Sequence, residues 1–474
     1  MITPIPIDKG VFKAQNPKAL RNSPFSENLI NLFVDEAGGN VDRPTLQLFA
    51  TLASIKPIGM RWFSGVLVVV TSDRLIYSID ASGNMENITG DNLYGTGRPT
   101  FATDGTKLYI AGGSAPLKWA GPGNLTALLG GSPPNMTHIV YLDGYLIGNR
   151  RLDSENNKVT QFADFEATET WTGTNFFSNN ASPDEGQGIA TSQRDLYCIG
   201  EETTEIWQNV GTSPIPFSRA YTYEYGTHAP YSIISEDNSV FFLNQHNQIL
   251  RFLGRAPTRI SEAIEQEIGT YSKVSDCVAS SFRWKGTIHV LFCFPTEEKA
   301  WSIDLKNNQW TEWKGYDNDG YSRVRINALW QSIESDVVYA GDYNTGKVFT
   351  FSDTEKTDAG GIFKRQRTFA HFDGGSGVRK RSDIMRVKLN RDVASAYSGT
   401  TSQTNPTLEL RWKDAGAPWS EYRRSSLGQK GELKEHVEFR RLGIYRSRQY
   451  ELQISDPAAL SIASVETDDT VLSS

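Results

Sequence analysis

The sequence predicts a mostly β protein: a β-propeller of six or seven blades followed by a small C-terminal β-sandwich-like domain. Three observations lead there. Seven short apolar strand-pair signals recur between residues 60 and 352, at 66–80, 107–113, 138–149, 195–209, 239–253, 287–304 and 336–351. Their turn-terminated ends at Gly112, Gly148, Gly200, Asn244, Pro295 and Gly341 are spaced by 36, 52, 44, 51 and 46 residues, a loose period of the length a four-stranded blade needs. Glycine (41) and Trp plus Tyr (30 together) are plentiful, as turns and strands require.

The elements follow in order. Residues 1–55 form an N-terminal extended segment, with Pro4, Pro6 and Pro17 favouring extended or edge backbone and 28–39 reading as a strand and glycine turn. Residues 56–352 carry the propeller. Within them, Ile260, Ile264 and Ile268 recur at i, i+4 and i+8. They predict one short helix between blades, started by Ser261 and stopped by Gly269. Residues 353–382, rich in Gly, Asp and Ser, read as a linker, so the propeller is expected to fold without residues 383–474. The C-terminal β domain, 383–474, alternates apolar and polar residues at 383–393, 408–414, 436–443 and 450–456, with its longest polar loop at 395–407.

Net charge is −7 and unevenly placed. Residues 364–448 hold 19 Lys/Arg against 9 Asp/Glu (+10), residues 449–474 hold 5 acids and no base (−5), and residues 1–363 hold 29 against 41 (−12). An acidic body with a basic module favours oriented docking. Cys198, Cys277 and Cys293 lie in or beside apolar strands, which predicts buried reduced thiols rather than a disulfide framework. The N-terminal MITPIPIDKG lacks the apolar region of a signal peptide, and the apolar run 66–70 is far too short to span a membrane.

Catalytic signatures are missing from the sequence. His138, His228, His246, His289, His371 and His436 are far apart, with no paired metal-ligand spacing, so no metal and no cofactor is expected. DNDG (317–320) lacks the later bidentate carboxylate of a calcium loop and reads as a turn. There is no nucleophile elbow or phosphate-cradling glycine loop. The acids Glu201, Glu202 and Glu205 decorate turns. KDAGAPWS (413–420) resembles an Asp-box hairpin, a folding device in which Asp414 would bond turn amides and Trp419 would pack. The sharpest candidate is basic. Arg440, Arg446 and Arg448 would share one face of an extended strand, with Arg441 opposite before Gly443 changes the register. Interleaved with Tyr445 and Tyr450, they suit either a grip on phosphates or packing against the acidic tail or a neighbouring subunit.

Two stretches carry a family likeness. In 259–313, Ile260, Ser261, Ala263, Ile264 and Glu265 are followed by Tyr271, Asp276, Ala279, Phe294, Pro295, Trp301, Asp304 and Trp310. The second stretch is the arginine-rich 439–454, preceded by Gly431 and Glu432 and followed by Ser455 and Asp456. Together they resemble the packaged-DNA stabilisation (tail accessory, hub or nozzle) proteins of short-tailed bacteriophages. The resemblance implies a virion tail protein, assembled in the host cytoplasm, that forms a homohexameric ring below the portal and adaptor. Such a ring retains packaged double-stranded DNA and forms part of the ejection conduit, without sequence-specific binding. It also docks tailspikes or tail fibres and a needle or plug, and it is not an enzyme. On this reading Arg440, Arg441, Arg446 and Arg448 form an assembly interface. The alternative is a propeller that binds or degrades polysaccharide, a glycosidase or lyase with two carboxylates about 5–10 Å apart in a pocket. A monomeric cellular scaffold propeller is a third reading.

Overall fold

A computed structural model describes residues 2–14, 21–53, 55–128, 130–131, 133–150, 159–317, 320–390, 405–428 and 435–472. Seven four-stranded antiparallel blades, six of them separate sheets and one the first four strands of a larger sheet, surround one axis as a seven-bladed propeller. Blades 1 to 6 span 57–87, 100–127, 136–178, 186–223, 234–259 and 278–312. Blade 7 takes three strands from 328–352 and its outermost from the beginning of the chain. Each of the seven sequence signals falls in a different blade.

The apolar runs are uninterrupted because blade strands are buried on both faces. In blade 1, Leu67 and Val69 pack toward blade 7 while Val68 and Val70 pack toward blade 2. In blade 6, Val290, Phe292 and Phe294 face blade 5, and Leu291 and Cys293 face blade 7. Period-two alternation therefore sends every other residue into a different inter-blade core. Cys198, Cys277 and Cys293 are buried free thiols. The helix is a single turn, α1 (Glu265–Ile268), shorter than its sequence pattern. The carbonyl of Ser261 accepts from the amides of Ile264 and Glu265, so a turn uses the first half of the repeat.

The first fifty residues do not form a separate extended arm. Five strands, β1 (Ile2–Ile5), β2 (Ser26–Ile30), β3 (Leu32–Val34), β4 (Asn40–Asp42) and β5 (Thr45–Thr51), are built into the two bodies. β5 pairs antiparallel with Lys347–Ser352 and closes blade 7. β1 and β4 pair with Ser461–Val471. β2 lies parallel to the outermost strand of blade 6 on one side and antiparallel to Arg365–Phe369 on the other. Blade 6 thus continues into one face of the C-terminal sandwich, as a nine-stranded sheet ending Arg365–Phe369, Arg448–Ile454, Thr407–Asp414, Arg423–Ser426. The other face is the sheet of β3, β4, Ser461–Val471, Lys380–Leu389 and His436–Tyr445, with β1 on its flank.

This corrects the reading of 353–382 as a linker. Arg365–Phe369 is a fully buried central strand there. Its polar sequence hides it, because the arginines are solvated by backbone instead of water. Arg367 donates to the carbonyls of Ile7 (2.9 Å), Lys9 (3.2 Å) and Pro24 (3.1 Å) and to Asn40 Oδ1 (2.8 Å). Arg365 donates to the carbonyls of Ala458 (2.8 Å) and Asp456 (2.7 Å). Such satisfaction is what makes a buried guanidinium tolerable. The 395–407 loop, the 317–320 turn and the Gly431-Glu432 pair lie wholly or partly outside the described residues.

Candidate functional site

Arg440, Arg446 and Arg448, expected on one face with Arg441 opposite, do not share a face. Strand His436–Tyr445 is bulged: Ser382 lies opposite Gly443 but Ile384 lies opposite Arg440. Arg441 (φ +59°) and Gly443 (φ +85°) take the left-handed backbone that this irregularity needs. Arg440 projects to solvent and forks onto Glu438 at 3.0 and 2.6 Å. Hydrogen bonds from Arg440 and Arg386 hold the Glu438 carboxyl below the usual range. Arg441 is exposed, and its carbonyl accepts from Arg423 at 3.0 Å. Arg446 is exposed, in the turn after the strand.

Arg448 is different. It is 1% exposed, clamped on Asp414 at 2.6 and 3.1 Å and on the Leu442 carbonyl at 2.7 Å. It is a core residue and cannot meet a partner, which corrects its place in the expected interface. The same contact corrects the Asp-box reading, since the Asp414 carboxylate serves Arg448 rather than turn amides. Trp419 does pack, under Arg411 (4.8 Å) and Lys413 (4.7 Å).

The acidic last strand, Ser461–Val471, does not pair with His436–Tyr445 and meets it at the Tyr445 hydroxyl, which donates to Asp469 at 2.6 Å, not through the arginines. Lys380–Leu389 lies between them, and its Arg386 and Lys388 reach Glu438 and Glu466. On this face the bases are largely matched by acids. Arg379, Arg381, Arg423, Arg424, Arg440, Arg441 and Arg446 remain exposed around it, beside apolar Val378, Ile444 and Val471.

The second feature is the propeller axis, which no sequence motif marks. The innermost strands of the blades enclose a cavity of ≈ 530 Å³ lined by Ile58, Arg61, Arg98, Phe101, Tyr231 and Trp330, among others. One end is crossed by side chains. Arg98 of blade 2 donates to the Ile58 carbonyl of blade 1 (3.1 Å) and to the carbonyl and Oδ1 of Asn327, at the start of blade 7 (2.8 and 2.7 Å). The Tyr231 ring stacks on His138 with centroids 5.7 Å apart, and its hydroxyl fills the space beside Gly97, where a Cβ would come within 2.1 Å. At the other mouth stand Glu236, Arg283 and Asp336. Glu236 accepts from Ser281 (2.8 Å) and Asp336 from Gln331 (2.7 Å). The sequence signal for these residues was one strand upstream of each apolar hairpin, because that preceding strand is the axial one. Among the described residues, no group of three or more His, Cys, Asp or Glu is placed to hold a metal ion.

A family model described as "Bacteriophage P22 Gp10, beta-propeller" matches residues 4–356. The chain belongs to this family of phage DNA-stabilisation proteins. It is therefore a phage structural protein, and the matched span covers β2 to β5 as well as all seven blades. No curated protein matches the sequence. Among solved structures, a streptogramin B lyase is similar at 12% identity and a TM-score of 0.44, over 65% of this chain and 97% of that one. The WD40 propeller domain of Doa1 is similar at 13% identity and 0.41, over 65% and 97%. The extracellular domain of a one-component system, BT4673 of B. thetaiotaomicron, covers 87% of this chain and 62% of its own at 10% identity and 0.44. No helix among the described residues is long and apolar enough to cross a membrane.

Proposed function

We propose that this Gp10-family protein is a ring-forming hub or nozzle of a short phage tail. It adds below the portal and adaptor as a homohexamer, retains the packaged genome, and presents docking surfaces for tailspikes or fibres and a needle or plug. Family membership across residues 4–356 is the observation that carries this reading. The axial cavity supports one refinement. Its volume is that of a small-molecule pocket and its end is crossed by Arg98 and Tyr231, so a duplex cannot pass along the propeller axis. The conduit then lies between protomers.

Its wall would be the propeller body, whose −12 balance over residues 1–363 repels phosphates and keeps a duplex centred. A basic wall would release counterions, bind and brake the DNA. The exposed arginines Arg440, Arg441 and Arg446 then hold protein neighbours, and the chain catalyses nothing. Light scattering during size exclusion, of the chain alone and with a portal–adaptor complex, tests the ring. A closed oligomer on the connector is expected, whereas a monomer under both conditions removes the proposal. Duplex binding by the free protein should be weak and salt-sensitive, and Arg446→Glu should impair assembly more than DNA affinity. Shortening of a capsular polysaccharide by the purified chain, abolished by substituting Glu236 or Asp336, would favour the glycosidase or lyase reading instead.

A further inference from the structure

The axial cavity holds positive charge that its walls do not neutralise. Arg61 lines it, and among the described residues its guanidinium has no hydrogen-bond or ion-pair partner. Its one described contact is the Trp330 ring, 4.1 Å away. Arg98 gives its donors only to neutral oxygens, and Arg323 donates to the same Asn327 Oδ1 at 3.3 Å. Two guanidiniums thus converge on one uncharged amide.

The acids in the lining, Glu236 and Asp336, form no ion pair with Arg61 or Arg98 among the described residues. Glu236 is bonded to Ser281 and lies 3.8 Å from Arg283, and Asp336 is bonded to Gln331. Asp276, the acid whose field reaches Arg98, accepts from Thr296 at 2.6 and 2.9 Å. Burial lowers Arg61 to about 10 and, with the charge of Arg323, Arg98 to about 10, so both stay cationic at neutral pH. A region that carries excess acid puts none within ion-pair distance of Arg61, Arg98 or Arg323 among the described residues. Desolvated cations without counter-charges are costly, and a bound anion would offset that cost. The guanidinium fork suits phosphate or carboxylate, and the lining of Ile58, Phe101, Leu329 and Trp330 suits an apolar body.

We propose that the propeller's axial cavity binds a small anion, a phosphate or carboxylate on an apolar body, with Arg61 and Arg98 as its cationic anchors. The site lies within one protomer, so it stands or falls independently of the ring. Isothermal titration of the full chain with phenyl phosphate, inorganic phosphate and neutral benzyl alcohol tests it. Phenyl phosphate should bind with a Kd below about 1 mM and more tightly than inorganic phosphate, and benzyl alcohol should not bind measurably. Affinity should fall as salt rises from about 0.05 to about 0.5 M. Arg61→Gln should weaken phenyl phosphate at least about tenfold while the unliganded chain still melts in one cooperative transition, because the described contact of the Arg61 side chain is the Trp330 ring alone. Arg98→Gln should weaken it too, but Arg98 also ties three blades together, so Arg61 is the deciding position. No saturable heat from either phosphate up to about 10 mM, or an Arg61→Gln variant that binds like the parent, would overturn the site.

Discussion

His289 lies between two aromatic rings, Phe33 with centroids at 4.4 Å and Phe282 at 5.1 Å. Burial pushes its imidazole down to about 3, and pushes His138 down to about 4 despite the Pro230 carbonyl. Both are neutral in the fold and gain a proton on unfolding once the pH is below about 6.5. The stability they contribute is complete above that pH and is lost as pH falls toward their folded values, at about 1.4 kcal/mol per pH unit for each. Urea unfolding of the parent and of His289→Phe at pH 7 and pH 5 should diverge, the variant losing about 2 kcal/mol less over that interval. Equal losses would place the acid sensitivity elsewhere. A second residue-scale contrast separates two arginines that look alike in the sequence. Arg448→Ala leaves Asp414 and the Leu442 carbonyl without their donor and should cost about 3 kcal/mol in denaturant titrations. Arg446→Glu, in an exposed turn, should stay within about 0.5 kcal/mol of the parent.

At the scale of elements, β5 makes the propeller a closed ring. Leu46 points into the core between blades 6 and 7, with Phe349 and Trp313, while Leu48 is 54% exposed. Leu46→Ala should lose about 2–4 kcal/mol and Leu48→Ala less than about 0.5. Matching losses from equilibrium unfolding would mean that β5 is not seated in this register. How far such elements can be read from sequence depends on where their partners lie. The strand pairs within blades 1 to 6 were legible because both strands and their turn are contiguous and doubly buried, as in 66–80. β5 was not, since TLQLFAT gains its meaning from a strand three hundred residues away. Arg365–Phe369 was read as linker because a strand whose charges are capped by carbonyls has no apolar signature. The arginine cluster was legible as composition, but the bulge at Arg441–Gly443 decides which members reach solvent, and strand alternation cannot foresee a bulge. Arg61 and Arg98 carry no local motif at all. Only the closure of seven sheets around an axis brings them to one cavity.

For the whole molecule, the sandwich and propeller share an apolar core. Met385, Leu408, Leu410 and Leu452 belong to the same packed cluster as Ile264, Phe292, Trp301 and Trp310 of blades 5 and 6 and their connection. Removing residues 383–474 strips this cluster and leaves Arg365–Phe369 without its neighbour Arg448–Ile454. The truncated chain should therefore aggregate or lose its sharp thermal transition, contrary to the expectation drawn from the apparent linker. A soluble product melting cooperatively at the parent temperature, by circular dichroism, would restore the sandwich as an independent body. Continuity of this kind also fixes how the two bodies are held. A sheet that runs from blade 6 through β2 into the sandwich gives the basic face a set orientation relative to the propeller.

The placement of β1, β2, β4 and β5 has a consequence for synthesis. Their partners beyond β3 all lie some three hundred or more residues downstream. At about 5–20 residues per second, the first fifty residues wait on the order of 15–60 s on the ribosome before any of those strands emerges. Blades 1 to 5 can form their own sheets in turn during that time, but the ring stays open and the sandwich has no first layer. A nascent chain interrupted before Ser461 cannot pair β1 at all. The ring can close once Lys347–Ser352 has emerged, whereas the sheet of β1 and β4 waits for Ser461–Val471, so a chain stopped between the two holds a closed propeller beside an open sandwich.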